Sequence, residues 1–306
     1  MDKVRAILIA FSLLLFAFLI ISADPQKLVE NVSGADKTYL LLSISCISLA
    51  MILRIYRWKI LISELSFLEI APIQLFGNAL SNIAPAKASE PVKAMLLKSN
   101  YGISLSKGFS STVVERMTDL IAAVLISLLV LFYIPWEIAF IPIVSFGGIV
   151  LVLVASAQSK AIQSFGVGIV ARFSKGYAVS AKKFVAGLRL DRKFANACAL
   201  GLLIWTLDAA TAVFVFMSLG AMPDVQAPYL AVSGLMCFSL LVGLLTMLPG
   251  GLGSMDISFA VLLQGLGVEG ALSVSAVILY RLLTFWSGVF IGLASSVFIT
   301  KKGGME

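Results

Sequence analysis

The sequence predicts an all-α polytopic membrane protein. It has six full spans plus two re-entrant helical hairpins, or eight spans if the hairpins cross outright, arranged as two inverted repeats. Three observations predict this. Apolar residues are 60% of the 306, charged residues are only 13%, and mean hydropathy is +1.03. A soluble domain carries roughly 45–50% apolar and about 25% charged residues. Apolar windows then recur along the chain, and windows of about 17–25 residues can span a bilayer. Finally, one order of features occurs twice inside apolar sequence. Pro85 precedes the acid Glu90 and Gly102, and Arg116 lies fourteen residues beyond that glycine. Pro249 precedes the acid Asp256 and Gly267, and Arg281 again lies fourteen residues on. A proline-broken apolar segment near a carboxylate, once in each half, is how many membrane transporters build a midplane site.

The elements follow in order. Residues 6–22 come after Lys3 and Arg5 and look like a signal-peptide core. They lack a small-x-small cleavage site and other spans follow, so a retained helix is expected. Residues 39–51 form the second span, closed by the run Arg54-Ile55-Tyr56-Arg57-Trp58, which reads as an interfacial anchor. Residues 69–97 are apolar but interrupted, and form the first hairpin with Asn78, Ser81, Asn82, Lys87 and Glu90. Residues 120–133 and 138–155 are the next spans. Residues 195–220, the interrupted stretch 229–266 and residues 272–299 repeat the series in one membrane domain, 1–306. Repeat one covers about 1–136 and repeat two about 137–306.

Orientation comes from the basic residues, which are retained on the cytoplasmic side. The linker 157–194 holds Lys160, Arg172, Lys175, Lys182, Lys183, Arg189, Arg192 and Lys193 against the one acid Asp191. It reads as a basic amphipathic helix on the cytoplasmic surface. The opposing loops carry Asp24, Glu30, Asp36, Glu137 and Asp224, and the turn at Gly267 carries Glu269. Both termini are therefore expected in the cytoplasm of a multi-pass plasma-membrane protein. The hairpins then enter from opposite faces.

Composition also excludes function classes. The net charge of +7 would suggest nucleic acid in a soluble protein, but here it is topology signal and attraction to anionic lipid. No nucleic-acid partner is expected. The absence of histidine removes the commonest general base and metal ligand. Cys46, Cys198 and Cys237 lie in apolar runs without metal spacing and read as inert core thiols. No metal and no cofactor are expected.

Ionisable groups at membrane depth are costly, so each is a functional candidate. Glu115 and Asp119 lie one helical turn apart and share a face, with Arg116 about 100° round. They read either as a buried ion network around a polar cavity or as a solvated helix end. Arg281 sits alone in apolar sequence and needs a carboxylate or a phosphate. Asp208 is the internal candidate, and an Asp208–Arg281 pair stands beside a phosphate-binding role. Arg116 and Arg281, on equivalent helices, could share one anion between the repeats. The run Pro249-Gly250-Gly251-Leu252-Gly253 could present free N–H groups to that anion, or could serve tight packing alone. It lacks the Lys-Ser/Thr ending of a nucleotide phosphate loop. Glu90 and Asp256 are expected in one midplane pocket that both arginines line.

Taken together, these motifs resemble the membrane domain of the lysylphosphatidylglycerol synthase and flippase-like family. The matches are Arg-x-x-Arg-Trp ending at Trp58, Asn82-x-x-Pro85 with Glu90, the Glu115-Arg116-x-x-Asp119 set, the Pro-Gly-Gly-Leu-Gly run with its later acid, and Arg281. This chain has Ser89-Glu90 and Lys93 where the family usually has Gly-Glu and then Arg, and Asp256 where it usually has glutamate. The resemblance implies a plasma-membrane protein that handles lipids, with members linked to flipping aminoacylated or glycosylated lipids. Some relatives are labelled glycosyltransferases for polyprenyl lipids.

The expected function is therefore a non-enzymatic flippase-like transporter of an anionic phospho- or polyprenyl-linked lipid. Its partners would be membrane lipids bound through an anionic headgroup or lipid phosphate, and a homo-oligomer is compatible with it. The rivals are an integral membrane transferase acting on a lipid phosphate, with Asp208, Glu115 or Asp119 as base, and an ion-coupled carrier of small anions.

Overall fold

The computed structural model describes residues 2–22, 24–84, 91–158 and 191–299. Pro85, Lys87, Glu90, most of the basic linker and the C-terminal Lys301 and Lys302 lie outside the described residues. The described chain contains helices and turns without a strand. The helices are α1 (Asp2–Ser22), α2 (Pro25–Ser33), α3 (Lys37–Leu61), α4 (Phe67–Ile83), α5 (Pro91–Tyr101) and α6 (Leu105–Ser127). They continue with α7 (Trp136–Gln158), α8 (Arg192–Ser218), α9 (Pro228–Leu245), α10 (Ser254–Gly265), α11 (Gly270–Arg281) and α12 (Ser287–Ser295).

Polar residues at the edges of the apolar runs start these helices by accepting otherwise unpaired N–H groups. Asp36 accepts from Thr38 N at 2.7 Å to open α3. Ser66 and Glu69 form a reciprocal capping box at α4. Ser104, Asp191 and Glu269 cap α6, α8 and α11 by accepting a backbone N–H of the first turn.

Four stretches are long and apolar enough to cross a membrane: Lys37–Leu61, Arg192–Ser218, Pro228–Leu245 and Gly270–Phe298. A bent pair, Ala10–Ile21 and Pro25–Ser33, could count as a fifth, with 76° between its halves. The third span expected at 120–133 starts much earlier, as part of α6, which runs 23 residues from Leu105 before tightening into a 3-10 turn at Leu128–Phe132. Glu115, Arg116 and Asp119 are therefore mid-helix. Large apolar side chains such as Leu41, Ile52, Phe132, Leu151, Phe290 and Phe298 face outward, as a lipid-facing surface requires.

The repeated order of features is visible in the helices. A helix ends before Pro85 (α4), a short helix follows (α5), Gly102 turns the chain, and α6 begins at its Ser104 cap. Later a helix ends before Pro249 (α9), a short helix follows (α10), Gly267 turns the chain, and α11 begins at its Glu269 cap. Both turn glycines have positive φ, 68° and 88°, which an L side chain rarely adopts.

Packing crosses between the two halves. The helices α3 and α8 pair antiparallel along most of their length: Tyr39 stacks on Phe214 at 6.5 Å between ring centroids, while the guanidinium of Arg57 reaches Gly201 at the other end. The helix α4 packs on α12, and α9 packs on α6. Both of these crossings rest on glycine. A Cβ at Gly292 would lie 2.4 Å from Leu75 O of α4, and one at Gly234 would lie 2.8 Å from Val130 N, just after α6. Small residues let backbones approach where lipid supplies no hydrophobic drive. Gly292→Val is expected to destabilise the detergent-solubilised protein by about 1–3 kcal/mol, the cost of overpacking. A thermal melt unchanged from wild type would show that α12 can move off α4.

Candidate functional site

A cavity of about 510 Å³ lies among α3, α4, α6, α8, α9 and α11. Its walls are mostly apolar, but Arg54, Arg116 and Arg281 reach it from three different helices, with Asp119, Asp208, Asn78 and Asn82 beside them. Gly250 and Gly251 close one side.

The charges form three groups. Glu115, fully buried in the middle of α6, accepts from Lys93 Nζ at 2.9 Å and from the Gln74 amide, and lies 3.4 Å from Arg57 Nη2. Asp119, one turn on, accepts from Arg57 Nη1 at 2.8 Å and from Trp205 Nε1 at 3.1 Å. Arg116 bridges both acids at 3.3 Å. Asp208 on α8 pairs with Arg54 on α3. At the far wall, Arg281 Nε meets Asp256 Oδ1 at 2.8 Å, and its Nη2 donates to Gly250 O at 2.8 Å. Its guanidinium also stacks over Phe285 at 4.6 Å.

Exposure separates two roles. Arg57 and Lys93 are fully buried, and their acids consume them. The Arg54 and Arg116 side chains keep 22% and 27% of their surface open. In the network, five cations (Arg54, Arg57, Lys93, Arg116 and Arg281) face four carboxylates (Glu115, Asp119, Asp208 and Asp256) among the described residues. A guanidinium fork at such a site suits a phosphate oxygen pair.

Several expectations change in the structure. Arg281 pairs with Asp256 and not with Asp208, because α3 lies along α8 and brings Arg54 to Asp208 first. The Arg54–Trp58 run is not an interfacial anchor. The helix α3 continues to Leu61, so Arg57 and Trp58 are carried into the protein, where Trp58 donates to Ser111 Oγ at 3.2 Å and supports Lys93 at 5.3 Å from its ring. Three of the four N–H groups from Gly250 to Gly253 are already taken. Gly251 N bonds Leu248 O, Leu252 N bonds Pro249 O, and Gly253 N is taken by Asp256 Oδ2 at 2.8 Å. Tight packing is the better reading, since a Cβ at Gly250 would lie 2.1 Å from the Phe285 ring and one at Gly253 2.4 Å from Leu15. Asp256 is fully buried behind Arg281 and does not line the cavity, and neither does Glu115. Arg116, Arg281, Asn82, Asp119, Asp208, Gly250 and Gly251 do line it. Glu90 and Lys87, the other halves of the first-repeat site, lie outside the described residues.

The sequence reading also missed members of the site. Gln74 and Lys93 hold Glu115, and Tyr280 lines the cavity beside Arg281. A lone glutamine in the apolar run Ile70–Leu75 was the available signal for Gln74.

An all-helical membrane protein that buries an ion network around a cavity between its two halves is the class these features define. The chain belongs to the family of the lysylphosphatidylglycerol synthase TM region, whose model matches residues 5–292. It is similar to a UPF0104 membrane protein of Methanothermobacter thermautotrophicus, 24% identical over 95% of this chain and 94% of that one. It is similar to a UPF0104 membrane protein of Pyrococcus horikoshii, 24% identical over 95% of this chain and 96% of that one. It is also 27% identical to glycosyltransferase AglD of Haloferax volcanii, over 88% of this chain but only 50% of AglD.

Proposed function

We propose that this protein moves an anionic phospho- or polyprenyl-linked lipid between the leaflets of the cell membrane, without making or breaking a covalent bond. The cavity, which three arginines reach from different helices, carries the reading. Apolar walls accommodate lipid, while Arg54 and Arg116, whose side chains are partly exposed, line the cavity with Arg281 and can offer a phosphate charge-assisted donors. The ligand-facing side chains come from both halves of the chain, as expected of a site between repeats.

The repeats are read as inverted. The recurring order of helices and the reciprocal packing of α4 on α12 and α9 on α6 support this. In this reading the linker and both termini are cytoplasmic, and Glu137, Asp224 and Glu269 face outside. Single cysteines placed at those three acids are expected to react with an impermeant maleimide added to intact cells, whereas cysteines at Lys175 and Lys183 are not. The reverse pattern would overturn the orientation.

The similarity to AglD favours one rival, a transferase acting on a lipid phosphate. Reconstitution separates the two. Proteoliposomes holding fluorescent phosphatidylglycerol or a fluorescent prenyl phosphate are expected to show redistribution between leaflets, read by dithionite quenching, with every lipid mass unchanged. New lipid masses without redistribution would establish the transferase.

A further inference from the structure

We propose that a proton enters this site together with the anionic phosphate group, and that Asp208 is the group that carries it. The inference rests on the anion-transport reading above. Asp208 is nearly buried in the wall of the cavity, and its Oδ2 is held by Arg54. Its other oxygen, Oδ1, is buried with no hydrogen-bond partner among the described residues. The groups that face it are Arg54 and Arg57 on α3, Asp119 on α6, Cys237 on α9 and Tyr280 on α11. Among the described residues Arg54 and Arg57 offset its charge, and Arg57 is already bonded to Asp119 at 2.8 Å.

Arg54 is also a cation that lines the cavity with a partly exposed side chain. A phosphate bound there competes with Asp208 for the same guanidinium. Once Arg54 turns to the phosphate, Asp208 is a buried carboxylate facing a second carboxylate, Asp119, with no cation of its own. Such a group is neutralised by taking a proton from water, because a charge left unpaired at low dielectric costs several kcal/mol. The proton lands on the oxygen that has no partner, Oδ1. The step is an exchange: the phosphate takes the guanidinium and Asp208 takes the proton. Release of the phosphate returns Arg54 to Asp208 and expels the proton. The loaded site thus gains no net charge when the phosphate is a monoanion, which lowers the cost of moving it through the membrane.

The test uses the full chain in proteoliposomes with a pH gradient of one unit. Three probes are run separately: fluorescent phosphatidylglycerol, fluorescent prenyl phosphate, and radiolabelled inorganic phosphate. One proton per anion sets a steady-state ratio of about tenfold per pH unit, since one unit is about 1.36 kcal/mol. The labelled anion is expected to accumulate about tenfold on the alkaline side. Accumulation of either lipid identifies a headgroup as the source, and accumulation of inorganic phosphate alone identifies a soluble anion. In Asp208→Asn the ratio is expected to fall to one. Glu64→Gln, at the half-exposed pair with Lys107, is expected to keep the full ratio. Should Asp208→Asn fail to fold, wild-type protein still decides: alkalinisation of a weakly buffered medium must accompany entry of the anion from that side. Redistribution of lipid that ignores the gradient in wild type would overturn the coupling and leave the lipid-moving reading intact. Movement of none of the three probes would overturn both.

Discussion

Glu115→Ala is expected to yield a protein that loses its fold on extraction. Glu115 is fully buried and answers two fully buried cations, Arg57 and Lys93, as well as Arg116. Removing one partner of a buried pair costs about 3–5 kcal/mol, because the other charge stays behind unpaired. Here the two buried cations lose a partner at once, and Asp119 can compensate only Arg57. Glu115→Gln keeps the shape and can still accept from Lys93, so a smaller loss is expected. Combining it with Lys93→Met restores charge balance and keeps an unbranched stem against Gly77 and Trp58. That double variant is expected to recover most of the lost stability in a thermal melt. Wild-type melting of Glu115→Gln alone would show that charge does not hold α3, α5 and α6 together.

How much of the fold and site is legible in the sequence depends on the range of each interaction. The apolar windows are local signals, and four stretches are long and apolar enough to cross a membrane, while the spacing from turn glycine to arginine recurs at Gly102 and Arg116 and at Gly267 and Arg281. The set Glu115, Arg116 and Asp119 is legible because three charges before an apolar run have few cheap explanations. Partner choice was not. Asp208 and Arg281 look like natural partners in sequence, since each stands isolated in apolar surroundings. The antiparallel register of α3 on α8, which stacks Tyr39 on Phe214, instead gives Asp208 to Arg54. Arg57 was misread for a related reason. Two arginines near the end of an apolar window carry a topology signal, and the window alone does not show that α3 runs on to Leu61. The glycine run was ambiguous in principle. Glycine serves both anion binding and close packing, and only the bonds to Leu248 O, Pro249 O and Asp256 show which is used.

Arg281 and Arg116 should then respond to mutation in different ways, which distinguishes a scaffold charge from one that meets ligand. Arg281→Ala leaves Asp256 fully buried without its cation, so about 3–5 kcal/mol of stability goes together with lipid movement. Arg281→Lys is expected to restore little, since one ammonium cannot hold Asp256, reach Gly250 O and cover the Phe285 face at once. The neutral pair Arg281→Gln with Asp256→Asn is expected to fold but to move no lipid. Arg116 is the cleaner probe. It is partly open, and Asp119 keeps Arg57 and Trp205 while Glu115 keeps Arg57 and Lys93 without it. Arg116→Gln is therefore expected to cost only about 1 kcal/mol of stability or less. A charge-assisted hydrogen bond to phosphate is worth about 1.5–3 kcal/mol, so lipid movement should fall by roughly 10- to 100-fold. Redistribution assays on Arg116→Gln and on the neutral Arg281–Asp256 pair decide the matter. Wild-type rates in both would mean that these arginines brace the helices and that the phosphate is met elsewhere in the membrane domain.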